Sequence, residues 1–62
     1  MKLSLWIEIE NAALVEDDGT PNTQAVARVL QRAVHQVADG LDGGKLRDEN
    51  GNTVGAWSIG PE

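Results

Sequence analysis

The sequence predicts an α+β fold in which one helix packs on a three-stranded sheet, in the order strand, helix, strand, strand. Three observations predict it. Apolar and polar residues alternate strictly over 2–10, apolar residues recur at three- and four-residue steps over 24–41, and an Asn-Gly pair stands among alternating residues over 45–59. With 62 residues the chain is expected to form one domain, 1–62, with a small core.

The first strand is predicted from KLSLWIEIE at 2–10. Its alternation places four aliphatic residues on one face: Leu3, Leu5, Ile7 and Ile9. We expect this face to lie under the helix and the opposite face to expose Trp6. The short apolar segment AALV at 12–15 should fold back over the edge of the core as a turn.

The helix is predicted to begin at Thr20, with Pro21 at its first position, and to end before Gly40. Its apolar stripe would consist of Val26, Val29, Leu30, Ala33, Val37 and Leu41. Val34 and Ala38 widen this stripe. The extra width indicates either a broad core face or a second packed surface.

The C-terminal hairpin is predicted to turn at Asn50-Gly51, the residue pair typical of a two-residue type I′ turn. That turn would pair Arg47 with Val54 and Leu46 with Gly55. Leu46, Trp57 and Ile59 would then face the helix. The residues facing away would be Lys45, Arg47, Val54 and Ala56.

The same segment also suggests a metal site, because Asp48, Asn50 and Asn52 have the spacing that opens a calcium-binding loop. A helix-loop-helix calcium site further needs glycine at the sixth loop position and glutamate at the twelfth. Those positions hold Thr53 and Ile59. The sequence therefore favours a turn, and we predict no bound metal.

Catalytic groups are scarce. The chain has no cysteine and one histidine, His35, which is predicted on the polar face of the helix. Ser4 and Ser58 stand next to no base in the sequence, and the glycines at 40–44 precede a strand and not a phosphate-binding helix. We therefore predict no enzymatic activity and no cofactor.

The charge balance restricts the partners. Ten acidic residues oppose five basic ones, for a net charge of −5, so nucleic acid and anionic membranes are not expected ligands. No secretory signal pattern and no apolar run of about 20 residues occurs. We expect a soluble cytoplasmic protein, stabilised by self-association in the absence of disulfides and metals.

The predicted interaction surface is centred on Trp6, which alternation turns away from the helix. Val54 and Ala56 would complete an apolar patch, with Glu8, Lys45 and Arg47 at its rim. The alternative is an isolated surface tryptophan packed on the stems of the lysine and the arginine.

Three segments together carry a family resemblance: NAAL at 11–14, AVARVL at 25–30 and DENGNTVG at 48–55. They are similar to a family of short open reading frames of bacteriophages and prophages. The resemblance implies a phage-type accessory protein in the host cytoplasm and supplies no catalytic residue.

The expected function is therefore non-enzymatic binding of a host or phage protein, by a homodimer. The alternative is an acidic nucleic-acid mimic that inhibits a host or defence DNA-binding protein through Glu16, Asp17 and Asp18.

Overall fold

The architecture matches the predicted α+β class. The computed structural model describes residues 1–61 and contains β1 (Lys2–Ile7), α1 (Thr23–Ala38), β2 (Gly43–Arg47) and β3 (Thr53–Gly60). The strands form one antiparallel sheet in the order β1-β3-β2, with β2 and β3 joined as a hairpin. In this part of the chain no helix is long and apolar enough to cross a membrane.

The core lies between α1 and the hairpin. Its buried residues are Leu14, Ala25, Val29, Ala33, Leu46, Val54 and Trp57. Leu14 reaches it because the Leu14 N–H donates to the Asn11 carbonyl over 2.8 Å and folds the segment back. This confirms the turn predicted for AALV.

The helix begins later than predicted. Asn22 is its N-cap, and its side chain accepts a hydrogen bond from the Ala25 N–H at 3.2 Å. The predicted start at Thr20 is wrong because the Thr20 hydroxyl donates to Asp18 at 2.7 Å and Pro21 forms a β-bridge with Val15. The segment before the helix is therefore a closed turn.

The end of the helix agrees with the prediction. Gly40 has a φ of 89°, and its N–H donates to the Val37 carbonyl at 3.0 Å. The Leu41 N–H donates to the Gln36 carbonyl at 3.2 Å. Together these two bonds form the Schellman pattern that ends many helices at glycine.

The hairpin turn has three residues, so the two-residue turn predicted at Asn50-Gly51 is wrong. The Asp48 N–H donates to the Asn52 carbonyl at 2.9 Å, and the Gly51 N–H donates to the Asp48 carbonyl at 3.1 Å. Residues 49–51 therefore form the loop, with Gly51 at a φ of 85°. Such loops combine a turn with one residue in the left-handed region.

A β-bulge compensates for the longer loop. Leu46 still pairs with Gly55, as predicted, but Arg47 pairs with Thr53, which leaves Val54 as the extra residue. Val54 is only 4% exposed and belongs to the core. The prediction that Val54 faces outward beside Trp6 is therefore wrong.

The helix covers less of the sheet than predicted. It packs mainly on β2, whereas β1 lies at the opposite edge. A helix about 10 Å wide that lies over β2 does not extend to β1, which is two strand spacings of about 4.8 Å away. Ile7 packs against the core, but several predicted core residues are exposed: Leu3, Leu5, Ile9, Leu30, Val37 and Leu41.

Candidate functional site

Trp6 lies on the face of the sheet that the helix does not cover. It stands opposite Ala56 on β3, and Ala56 stands opposite Lys45 on β2. Neighbours across an antiparallel sheet share a face, so the structure brings these three of the six predicted site residues together on the outer face. Their role in binding stays a prediction.

The exposure of Trp6 is large for its size. Its relative accessibility is 53%, and Ala56 beside it is half-buried. The border of a shallow depression of about 140 Å³ next to the ring also includes Ser4, Ser58 and Trp57. An aromatic side chain beside small residues in a depression can anchor a partner side chain or main chain.

The three charged residues predicted at the rim, Glu8, Arg47 and Lys45, do not lie together around Trp6. Glu8 follows the end of β1, where its N–H donates to the Val54 carbonyl at 2.8 Å. Arg47 lies beyond the bulge and borders a cavity of about 40 Å³ together with Arg28 and Arg32. Lys45 is thus the one predicted rim residue in register with Trp6 on the outer face.

The Asp48 carboxylate, the first residue of the suspected calcium loop, is used by the turn itself. It is 2% exposed, and its Oδ1 accepts hydrogen bonds from the N–H groups of Asn50 and Asn52, each at 2.9 Å. The Asn52 side chain donates to its other oxygen at 3.5 Å. Within residues 1–61 no cluster of three or more potential metal-binding side chains occurs.

The electrostatics of Asp48 follow from these bonds. Burial raises the pKa of its carboxyl, but hydrogen bonds from Asn52, Asn50 and Asn11 outweigh burial and hold the pKa below its ordinary value of 3.8. The carboxylate is therefore charged at neutral pH and organises the loop.

Asp18 has a similar role before the helix. Its Oδ1 accepts from the Thr20 hydroxyl at 2.7 Å and from the Thr20 N–H at 3.0 Å. These bonds lower the pKa of the Asp18 carboxyl. All three clustered acids, Glu16, Asp17 and Asp18, are exposed. Asp18 also has a structural role, because it holds the turn before the helix.

The surface geometry is the basis on which function can be inferred. No family model, curated protein or solved structure matches this chain. The resemblance to phage open reading frames therefore stays a prediction.

One part of the surface was missed by sequence reasoning. Leu3 and Leu5 are predicted to lie in the core, yet they are 49% and 36% exposed. On the helix, Val34 is 62% exposed. For the helix, the width that Val34 and Ala38 add to the apolar stripe already indicates a second packed surface as one of two interpretations.

Proposed function

We propose that the chain is a non-enzymatic accessory protein that binds a host or phage protein, and that it acts as a homodimer. The observation that carries this proposal is the distribution of large apolar side chains. Among residues 1–61 nine of them are exposed, whereas the core buries five together with two alanines. Contiguous apolar surface is typical of interaction sites, and three of the nine residues, Leu3, Leu5 and Trp6, are near neighbours on β1.

The total surface supports the same conclusion. A folded monomer of 6.6 kDa is expected to expose about 3,900 Å², whereas this chain exposes 4420 Å². The difference of about 500 Å² is comparable with the roughly 800 Å² that each partner buries in a standard interface. Association would bring the exposed surface to the usual level.

Partner binding is assigned to the outer face around Trp6, with Ala56 and Lys45 beside it. Tryptophan is enriched among residues that dominate binding energy, and truncating such a residue typically weakens binding by about thirtyfold or more. Val54 is removed from the predicted site because it is buried.

The test compares Trp6→Ala with Val34→Ala, which shortens an even more exposed side chain on the helix. A partner captured from host lysate by the wild-type chain should bind Trp6→Ala at least about thirtyfold more weakly, and Val34→Ala about as well as wild type. Circular dichroism confirms that both variants fold. Unchanged binding by Trp6→Ala would show that the outer face is not the site.

A second candidate is the acidic nucleic-acid mimic, which the exposure of Glu16, Asp17 and Asp18 favours. Binding to a DNA-binding protein should then weaken steeply as salt is raised. Neutralising Glu16 and Asp17 should weaken it further, because two negative charges are lost while the hydrogen bonds from Thr20 to Asp18 are kept. Salt-independent binding would count against this candidate.

A further inference from the structure

The outer edge of β1 carries unused main-chain groups. The Glu8 N–H donates to the Val54 carbonyl, which continues the β1–β3 register by one residue. Because hydrogen bonding alternates along antiparallel strands, the peptide groups of Ser4 and Trp6 face β3. Those of Leu3, Leu5 and Ile7 face away, and no strand of residues 1–61 lies beyond them.

This edge lacks the features that usually protect an exposed strand. Residues 3–7 contain no charge and no proline, and the bulge of the sheet lies between β2 and β3. Leu3 and Leu5 are exposed on one surface of the strand and Trp6 on the other. The strand is thus open along its edge and has an exposed apolar side chain on each face.

We propose that β1 pairs with β1 of a second copy, antiparallel and two-fold about Leu5, so that two sheets join into one. The proposal rests on the homodimer proposed above and specifies its interface. Leu5 would face Leu5 of the second copy, and Leu3 would face Ile7. Centring on Leu5 aligns all three outward-facing residues, whereas centring on Ser4 or Trp6 aligns fewer.

A second copy is the occupant that the side chains favour. In this register every apolar side chain on the helix side meets another apolar side chain, and Lys2 stands opposite Glu8, a pair of opposite charge. A two-fold axis repeats each of these contacts.

The arrangement also changes the candidate binding face. Ser4 would lie opposite Trp6 of the second copy, which makes the two Trp6 residues diagonal neighbours about 7–8 Å apart. Both rings would stand on the outer surface of the joined sheet. The partner would then meet a paired tryptophan surface.

Cysteine cross-linking tests the register directly, because the chain has no cysteine. Directly opposed residues lie about 5.5 Å apart between Cα atoms, within the range a disulfide spans, whereas diagonal neighbours lie outside it. Leu5→Cys should therefore form a disulfide-linked dimer about tenfold faster than Ser4→Cys or Lys45→Cys. Faster linking of Ser4→Cys would overturn the register, and faster linking of Lys45→Cys would overturn the choice of edge.

Leu5→Pro provides a second measurement. The lost N–H points away from β3, so the fold of each copy should be kept while two intermolecular hydrogen bonds disappear. The dissociation constant, measured by sedimentation equilibrium, should rise about tenfold or more.

The two proposals fail in different ways. A wild-type chain that sediments as a monomer at every concentration would overturn the homodimer and the β1 interface together. The β1 interface alone would be overturned, and the homodimer left in place, by a wild-type dimer in which two results are negative. These are that Leu5→Cys links no faster than Ser4→Cys and Lys45→Cys, and that Leu5→Pro has the wild-type dissociation constant. If Leu5→Pro does not fold, the relative rates of cysteine cross-linking decide the outcome.

Discussion

At the scale of single residues, Gln36 connects the helix to both strands of the hairpin. Its side-chain oxygen accepts a hydrogen bond from the Trp57 indole N–H, and its amide donates to the Lys45 carbonyl at 3.3 Å. Trp57 is only 3% exposed, so its N–H has little access to water. Gln36 thus provides the acceptor for the buried Trp57 indole N–H, which would otherwise have no hydrogen-bond partner.

Gln36→Leu is expected to lower the free energy of unfolding by about 1–3 kcal/mol, because the buried indole N–H loses its acceptor. Gln31→Leu makes the same change at an exposed helix position and should alter the free energy of unfolding by less than about 0.5 kcal/mol. Urea denaturation measures both values. Equal losses in the two variants would contradict the role assigned to Gln36.

Asp48 makes stability depend on pH. Its pKa in the folded protein lies below the ordinary value of 3.8. Its stabilising contribution is therefore complete above that value and is lost as the pH falls through the folded pKa. The free energy of unfolding should thus decline more steeply between about pH 5 and about pH 2 in the wild type than in Asp48→Asn.

Denaturant unfolding at a series of pH values checks this expectation. Asp18, whose pKa is also lowered, remains in the variant and should leave a residual slope. Parallel curves for wild type and variant would show that Asp48 does not contribute.

At the scale of secondary-structure elements, β1 and β3 are closely apposed at Gly55. A Cβ atom at this position would overlap the Trp6 carbonyl oxygen and come within 3.1 Å of the Ile7 Cα. Both are main-chain atoms that cannot move without separating the strands. Glycine is therefore required here by the approach of a neighbouring backbone.

Gly55→Ala is expected to cost about 1–3 kcal/mol of unfolding free energy, as overpacking does in other well-packed sites. Gly60→Ala is the matched control on the same strand, because a Cβ there meets no atom within 4 Å. Thermal or urea unfolding compares them. A loss at Gly60 as large as that at Gly55 would point to strand propensity in place of the predicted clash.

The order and type of the helix and strands were predicted more accurately than their boundaries and the turns that connect them. Alternation and helical spacing depend on local residues, and they gave the element order, the outward face of Trp6 and the Leu46–Gly55 pairing. The helix start was missed because Thr20 and Asn22 are both acceptable caps. In the structure Thr20 donates hydrogen bonds to Asp18 and is therefore not the N-cap of the helix. The spacing of residues in the sequence does not reveal these bonds.

Only part of the candidate site was predicted, because its other residues depend on irregular pairing and on the position of the helix. A period of two assigns faces only while the pairing is regular, and the bulge interrupts it at Val54. The exposure of Leu3 and Leu5 depends on where the helix lies across the sheet. Both are tertiary properties that a local pattern does not contain.

At the scale of the whole molecule, the chain is extended for its length. Its radius of gyration is 12.3 Å, whereas a compact domain of this size is expected near 10.6 Å, by an approximate scaling rule. Its principal extents are 39 × 21 × 16 Å. Because α1 packs mainly on β2, much of the sheet is left without a covering element.

For a homodimer, the midpoint of thermal unfolding should rise with protein concentration, because mass action favours the associated folded state. For a chain of this size the rise should be about 6 °C for each tenfold increase. Circular dichroism at several concentrations measures it. A midpoint that does not change with concentration would indicate a monomer.

The bond from Gln36 to the Lys45 carbonyl also bears on how far assembly can proceed. Lys45 lies on β2, at the end of the sheet opposite β1. An incoming strand would have to displace the Gln36 amide before it could extend the ladder there. Joining two β1 edges would leave only this obstructed edge at each end, so growth should stop at two copies and not continue into a fibre.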